Sequence, residues 1–341
     1  MAATILITGA SGFIGFQILL DSLAAGHKVF FTVRSEDKAQ IILSNPAVKK
    51  LAPGDRLLPI VIPDPTLADA FDDVLKDNNV THVIHVGSPV TNPKFDPKTE
   101  IFEPTVKLSA NLLAAALKAP SVQRIIITSS TVANIGLTPP SSIPSATTSG
   151  VLPDVIPPFS NVQEAYVLGK MVELKASEDF IKNQKPHFTI SHIFPGYVFG
   201  RNELILDATQ MRTNNSSNTY FILGMVGGEL PFPLAGSFAH IDDVSKLHLQ
   251  AAFLDPTSPE ISKNWGISTE VDFSTIFGSV EKAFPKAVAD GIFSKGKIDT
   301  FAAPYDCGDT ERFLGRPLKT FETAAVDVAA QYLELLGKDK A

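Results

Sequence analysis

The sequence predicts an α/β protein built on a doubly wound parallel sheet, with a smaller α/β lobe. Short apolar and β-branched runs alternate with longer stretches of helical periodicity through the first half of the chain. These short runs are apolar throughout rather than alternating, which is typical of parallel strands covered by helices on both faces. Because parallel crossovers are right-handed, such an alternation winds helices onto both faces of one sheet.

The elements follow in order along the chain. Strands are predicted at residues 4–8, 28–33, 57–62, 82–86, 124–128 and 188–194. Helices are predicted at 13–23, 67–76, 105–117, 163–182, 242–253, 272–283 and 320–336. We expect residues 1–194, with 236–256 returning to them, to form the sheet domain, and 195–235 with 257–341 to form the smaller lobe.

Two segments interrupt this pattern. Residues 136–161 are rich in Pro, Ser and Thr and predict a surface loop. Residues 200–235 predict an irregular stretch that includes a Gly/Pro-rich segment. Long irregular loops often cover active sites, although the sequence does not decide which parts of these two line a pocket.

Composition limits the classes of function. Of the 341 residues 44% are apolar, enough for a sizeable core, and the net charge of −7 argues against a nucleic-acid partner. Cys307 is the single cysteine, so intramolecular disulfides and cysteine-based metal sites are excluded. We expect no metal, and we interpret Asp242 and Asp243 as N-caps of a helix. No apolar run approaches the roughly 18 residues of a membrane helix and no leader pattern is present, so we expect a cytoplasmic protein.

A glycine-rich turn lies between the first strand and the first helix. Gly9, Gly12 and Gly15 are spaced G-x-x-G-x-x-G, with Ser11 between the first two and Phe13 and Ile14 before the third. A dinucleotide pyrophosphate needs close backbone approach at this place, and the helix N-terminus offers oriented N–H groups. The spacing by itself is a weak signal, but its position inside the first βαβ unit favours a dinucleotide site.

The end of the second predicted strand indicates which dinucleotide binds. An acidic residue there would favour the ribose 2′-hydroxyl of NAD, whereas an arginine accommodates the 2′-phosphate of NADP. Arg34 occupies this place, and Lys38 follows one turn later. We therefore predict NADPH/NADP⁺ as the cofactor; the alternative is two solvated cations beside Glu36 and Asp37.

Three residues could carry a carbonyl reduction. Tyr166 and Lys170 are four apart, on one face of a predicted helix, and Ser130 follows the fifth strand. A phenol has a pKa of about 10, and a neighbouring ammonium favours its ionised form. A serine hydroxyl could hold the substrate oxygen beside the phenol. The pattern Y-x-x-x-K occurs frequently by chance. The prediction therefore depends on its position after the glycine loop and the Ser129-Ser130 pair. Ser129 is the second choice for the catalytic serine.

This ordered set resembles the extended short-chain dehydrogenase/reductase superfamily over nearly the whole chain. Within it the chain is similar to the dihydroflavonol reductase, cinnamoyl-CoA reductase and yeast methylglyoxal reductase group. The supporting stretches are the glycine loop, VIHVGSP at 83–89, APSV at 119–122 with TSS at 128–130, PGYVFG at 195–200, and HIDDV at 240–244.

The resemblance implies a Rossmann-type fold and further cofactor contacts. Asp64 would meet the adenine, and Val86, Gly87 and Ser88 the ribose and nicotinamide side. Pro195 and Val198 would contact the nicotinamide, and Lys170 its ribose. The resemblance also assigns the catalytic serine to Ser130.

The resulting hypothesis is an NADPH-dependent reductase of a small ketone or aldehyde, either monomeric or homodimeric. One alternative is a nucleotide-sugar epimerase or dehydratase, although Thr131 and Val132 stand where dehydratases carry acidic residues. A hydroxysteroid dehydrogenase and a non-catalytic NADPH-sensing regulator also stay open. The natural substrate and the stereochemistry are not determined by the sequence.

Overall fold

The computed structural model describes residues 2–138, 141–214 and 216–338. Its strands are β1 (Thr4–Thr8), β2 (Lys28–Val33), β3 (Leu57–Val61), β4 (His82–His85), β5 (Arg124–Thr128), β6 (Thr189–Pro195), β7 (Tyr197–Phe199), β8 (Leu234–Ala235), β9 (Ser237–His240), β10 (Trp265–Ile267), β11 (Thr269–Glu270) and β12 (Thr300–Phe301). The predicted strands all exist, with ends that differ by a residue at most.

Helices lie between many of these strands along the chain. They are α1 (Phe13–Ala24), α2 (Glu36–Ser44), α3 (Pro46–Lys50), α4 (Asp72–Asp77), α5 (Glu103–Leu117), α6 (Thr131–Ile135), α7 (Val162–Gln184), α8 (Ala208–Thr213), α9 (Asn218–Met225), α10 (Ile241–Ala252), α11 (Ile276–Ala283), α12 (Pro285–Ala289), α13 (Gly308–Leu314) and α14 (Phe321–Leu335). Within the described ranges no helix is both long enough and apolar enough to span a membrane.

A seven-stranded sheet organises the chain, in the order β10-β6-β5-β4-β1-β2-β3. Every neighbouring pair from β3 to β6 is parallel. The chain runs outward from β1 to β3 and then returns to the other side of β1, so the order reverses between β1 and β4. Open α/β sheets bind ligands outside the carboxyl ends of the strands at such a switch point. The predicted Rossmann-type fold class is confirmed.

The chain divides into two compact units. The first comprises Met1–Phe194 and Ser245–Gly266, and the second Pro195–Val244 and Ile267–Ala341. In the first unit, strand residues such as Leu6, Val83 and Ile125 pack with Leu112 and Leu113 of α5 in one buried cluster. This apolar face fixes the sheet against α5 and so holds the carboxyl ends of β1, β4 and β5 in place.

The second unit has an aromatic core of its own. The ring centroid of Phe199 lies 4.2 Å from that of Phe221 and 5.6 Å from that of Phe273. Phe321 at the start of α14 lies 5.0 Å from Phe221 and 5.2 Å from Phe238. These rings pack beside a three-stranded sheet in the order β11-β9-β7. Most of the phenylalanines therefore build the core, as edge-to-face and tilted ring pairs stabilise it.

One predicted helix was largely wrong. The pattern at 67–76 predicts ten helical residues, but α4 begins only at Asp72. The Asp64 carboxylate accepts hydrogen bonds from the amide and the hydroxyl of Thr66, at 2.9 and 2.6 Å. The carbonyls of Thr66 and Leu67 accept from the Asn111 side chain, each at 2.9 Å. These bonds hold the segment as turns, because its backbone groups already have partners outside a helix.

The loop predictions had different outcomes. The described residues of 136–161 contain no helix, as predicted, while 139 and 140 lie outside the described part of the chain. The stretch 200–235 was predicted to be irregular, but it contains α8 and α9. Asp207 caps α8 by accepting from the Gln210 amide at 2.9 Å.

The helix predicted at 272–283 is interrupted near its start. A 3₁₀ turn, Phe273–Thr275, precedes α11, so the predicted single helix is broken.

Candidate active site

The glycine loop connects β1 to α1 by a turn that requires glycine. Gly9 has a φ of +71°, and the Gly12 amide donates to the Gly9 carbonyl at 3.0 Å. A Cβ on Gly9 would lie only 2.6 Å from the Gly87 nitrogen, and one on Gly15 would collide with the Gly9 carbonyl. Only glycine permits this approach of β1 to the segment after β4. Ser11 and Gly12 are exposed at the start of α1, with Phe13 and Ile14 half-buried behind them.

Thr8 joins the glycine loop to the segment that follows β4. Its hydroxyl oxygen accepts from the amides of Val86 and Gly87, at 3.2 and 3.1 Å. The same hydroxyl lies 2.7 Å from Nδ1 of His85, a buried residue that is in register with Thr8. Sequence reasoning missed this role, although the position of Thr8 as the last residue of β1 was a usable signal.

Buried polar atoms without partners lie at the ends of two strands. Among the described residues, Ser88 Oγ after β4 and Ser129 Oγ after β5 are buried and make no hydrogen bond. Buried hydroxyls are normally satisfied, so these atoms indicate a place for a polar ligand. The two serine hydroxyls lie in the same unit as the exposed N-terminus of α1 and the close approach of Gly9 to Gly87. These features fit a dinucleotide with a polar head group.

The end of β2 carries the predicted selectivity residues. Arg34 and Lys38 are exposed, and neither forms an ion pair with a described residue. Ser35 caps α2 between them by accepting from the Lys38 amide at 3.4 Å. A helix start flanked by two free cations suits a phosphate group. Asp64 is also exposed, and its hydrogen bonds from Thr66 lower the pKa of its carboxyl group.

The three predicted catalytic residues belong to the first unit, and two of them, Ser130 and Lys170, lie at the end of β5. Ser130 is the second residue after β5, and its side chain caps α6 by accepting from the Val132 amide at 3.4 Å. Lys170 Nζ donates to the Thr128 carbonyl at 3.3 Å. Tyr166 lies one turn before Lys170 on α7 and is half-buried. The lysine therefore ties the face of α7 that carries Tyr166 to the strand end that carries Ser130.

A buried carboxylate accompanies the lysine. Glu173 Oε2 lies 2.8 Å from Lys170 Nζ, and each of the two side chains is 2% exposed. The other carboxylate oxygen accepts a short hydrogen bond from Ser109 of α5. Sequence reasoning missed both residues, although the i,i+3 spacing of Lys170 and Glu173 on one helix was a signal for the pair.

Two predicted contacts lie in the second unit. Pro195 ends β6, and Val198 of β7 is paired in register with Ala239 of β9. Both side chains are buried. Their contact with a nicotinamide stays a prediction.

The interpretation of Asp242 and Asp243 as N-caps was wrong. Asp243 is fully buried and pairs with Arg316 at 2.5 Å, while it also accepts from the Lys319 amide at 2.7 Å. Asp242 pairs with the Lys319 ammonium at 2.5 Å. The Asp242 amide donates to His240 Nδ1 at 3.2 Å, so a histidine rather than an aspartate accepts at this helix start. The described residues hold no group of three or more potential metal ligands.

The model of the NAD dependent epimerase/dehydratase family matches residues 5–255. A ketoreductase (CTB6) of Cercospora nicotianae is 32% identical over 357 residues, which cover 98% of this chain and 96% of that protein. A Candida albicans protein (GRP2), provisionally named as an NADPH-dependent methylglyoxal reductase, is 32% identical over 297 residues, or 84% of each chain.

A solved structure shows the same fold. The crystal structure of Gre2 from Candida albicans, in complex with NADPH, has a TM-score of 0.80 to this chain. The two chains are 22% identical, and the match covers 98% of this chain and 99% of the other.

Proposed function

The chain belongs to the NAD dependent epimerase/dehydratase family, and from this premise we propose that it is an NADPH-dependent carbonyl reductase. It would convert a small ketone or aldehyde to the alcohol. The observation that carries the proposal is the Lys170–Thr128 contact, which brings the Tyr166 face of α7 to the strand end beside Ser130. The ketoreductase and methylglyoxal reductase names of two relatives support it.

The cofactor would lie along the carboxyl edge of the first unit's sheet. The α1 start and the Gly9–Gly87 approach would hold the pyrophosphate, and Ser88 would bind on the nicotinamide side. Arg34 and Lys38 would hold the 2′-phosphate, and Asp64 would meet the adenine. Lys170, Pro195 and Val198 complete the predicted set. When bound, the reduced nicotinamide supplies a hydride to the carbonyl carbon.

The protein's own residues would handle the proton and the oxygen. Tyr166 donates its phenolic proton to the carbonyl oxygen as negative charge develops there. The Lys170 ammonium stabilises the phenolate that remains, because opposite charges at close range favour the ionised form. Ser130 hydrogen-bonds the same oxygen and orients it toward Tyr166. Ser130 Oγ accepts from the Val132 amide at 3.4 Å, and this bond does not use the hydroxyl proton that would go to the carbonyl oxygen.

Arg34 favours the reductase over an NAD-bound epimerase, since an acidic residue would suit NAD at this place. A non-catalytic sensor is disfavoured because the chain has all three residues proposed for catalysis, Ser130, Tyr166 and Lys170. We propose that the first unit holds most of the cofactor and the residues that act on the carbonyl, and that the second unit contributes Pro195, Val198 and further residues that select the substrate.

The test follows the loss of NADPH absorbance, and separately of NADH, with aliphatic, aromatic and keto-ester carbonyls. We expect rapid NADPH consumption with a subset of the panel and slow consumption of NADH. Tight NADPH binding without turnover on any carbonyl of the panel would favour a specialised biosynthetic substrate or the sensor. Equal turnover with both cofactors would contradict the assignment of Arg34 and Lys38.

A further inference from the structure

The ion pair between Lys170 and Glu173 is buried to a degree that stability does not explain. Both side chains are 2% exposed, and Nζ and Oε2 lie 2.8 Å apart. Taking two charges out of water costs several kcal/mol per ion, so well-packed apolar residues are often as stabilising as such a pair. A buried pair of this kind therefore indicates that the charge of the lysine serves a purpose other than stability.

Glu173 is itself held in place from a second helix. Ser109 of α5 donates to Oε1, the carboxylate oxygen that does not face the lysine. Ser109 is 2% exposed, so this bond is shielded from water. The α5 and α7 helices pack closely here. A Cβ added to Gly169 of α7 would lie only 3.3 Å from the side chain of Thr105 on α5. A chain of contacts thus runs from Ser109 through Glu173 to Lys170.

The contacts of Lys170 use two of the three N–H donors of its ammonium group. A lysine ammonium has three N–H donors. One is directed to the Thr128 carbonyl at 3.3 Å and one to Glu173 Oε2 at 2.8 Å. With two donors fixed from different elements, the third has a set direction. A mobile lysine would otherwise lose side-chain entropy on binding a ligand.

Glu173 is also the countercharge of this buried region. Two buried histidines, His85 at the end of β4 and His192 on β6, lie within electrostatic range of the pair. Burial lowers the pKa of His85 to about 4 and also lowers the pKa of His192, so both rings are neutral near pH 7. Of these groups only the carboxylate offsets the ammonium.

We propose that Glu173, anchored by Ser109, is a positioning residue that holds Lys170 as a fixed, charged donor. The proposal rests on the function proposed above, in which Lys170 contacts the cofactor ribose and supports Tyr166. Glu173 acts only through Lys170.

The decisive variant is Glu173→Gln. The amide keeps the side-chain size but removes the negative charge, and it has one acceptor oxygen where the carboxylate has two, so Ser109 and the Lys170 ammonium no longer have an acceptor oxygen each. The experiment measures the NADPH Kd by fluorescence titration, the position of Lys170 in a crystal structure, and kcat with saturating carbonyl substrate. We expect Nζ to leave the Thr128 carbonyl, the Kd to rise about tenfold and kcat to fall about 30-fold or more, with KM changing less.

Asp179→Asn is the matched control. Asp179 pairs with Lys175 on the same helix, but both of these side chains are about half exposed. Removing this carboxylate changes the charge of α7 by the same amount and should leave all three measurements unchanged. All assays are run well below the melting temperature of each variant, so that a loss of stability does not imitate a loss of function.

The outcomes separate the two proposals. Folded Glu173→Gln protein with Lys170 in place and with Kd and kcat within about twofold of the parent protein overturns the positioning role, even if its melting temperature falls. If the parent protein reduces no carbonyl, the proposed function fails, while the Kd and the Lys170 position still test Glu173. If Glu173→Gln does not fold, Glu173→Asp and Ser109→Ala replace it. We expect about a threefold or larger loss in each, and no loss in either overturns the proposal.

Discussion

The hydroxyl of Thr8 lies 2.7 Å from Nδ1 of His85, at the carboxyl ends of the paired strands β1 and β4. The Thr8 oxygen already accepts from two amides, those of Val86 and Gly87. Its own proton is left to bridge to His85 Nδ1, which accepts it when the ring is neutral, and burial lowers the pKa of this ring to about 4. The same hydroxyl thereby holds the backbone beside the glycine loop.

Stability should fall in acid because of His85. Burial lowers its pKa from 6.5 to about 4, so between these values the unfolded chain binds a proton that the folded chain does not. Stability from this residue is complete above pH 6.5 and is lost as the pH falls toward 4. Between pH 7 and pH 5 the loss should be about 2 kcal/mol. Urea unfolding at both values checks it: His85→Gln should lose that much less than the parent protein, and an identical loss would contradict the neutral histidine.

Gly9→Ala should damage the cofactor site. The new Cβ would lie 2.6 Å from the Gly87 nitrogen at a φ of +71°, so the segment after β4 must move. We expect NADPH affinity to fall at least about tenfold and the melting temperature to drop by several degrees. Gly278→Ala is the control, because its Cβ would meet nothing within 4 Å. Unchanged NADPH binding in Gly9→Ala would remove this turn from the site.

Arg34→Ala should change the choice of cofactor. A guanidinium on a phosphate forms charge-assisted bonds, so we expect NADPH affinity to weaken about tenfold or more while NADH affinity stays constant. Lys50→Ala removes another exposed cation, on α3, and serves as the control for net charge. Fluorescence titration with both dinucleotides measures the ratio. A preserved preference for NADPH would exclude Arg34 as its cause.

Tyr166→Phe should remove turnover and keep cofactor binding. The substitution deletes only the hydroxyl that is proposed to give the proton, and proton transfer from a positioned side chain contributes about 10²–10⁴ in rate. We expect kcat to fall by at least that range, with the NADPH Kd unchanged. Stopped-flow consumption of NADPH and a fluorescence titration measure the two quantities. Turnover close to that of the parent protein would assign the proton to another group.

Much of the fold was accessible from the sequence. Apolar runs and helical periodicity gave the strands of the Rossmann-type sheet, and the family resemblance was confirmed. The nicotinamide cofactor predicted from the glycine loop agrees with the name of a relative. In two of the predictions that failed, side chains from elsewhere in the chain decide the outcome. Asn111 keeps the 67–71 segment out of a helix, and Arg316 and Lys319 take the carboxylates expected to cap α10.

By itself the sequence determined the order of strands β1 to β6, the glycine turn, and the candidate residues Ser130, Tyr166 and Lys170. These are local properties, since periodicity, glycine spacing and an i,i+4 pair are read within one element. Only the tertiary structure decided which groups surround them. Thr8 meets His85 across 77 residues and Ser109 meets Glu173 across 64. Such contacts depend on strand register and on the packing of α5 against α7, because burial and partner choice are set by the whole fold rather than by neighbouring residues.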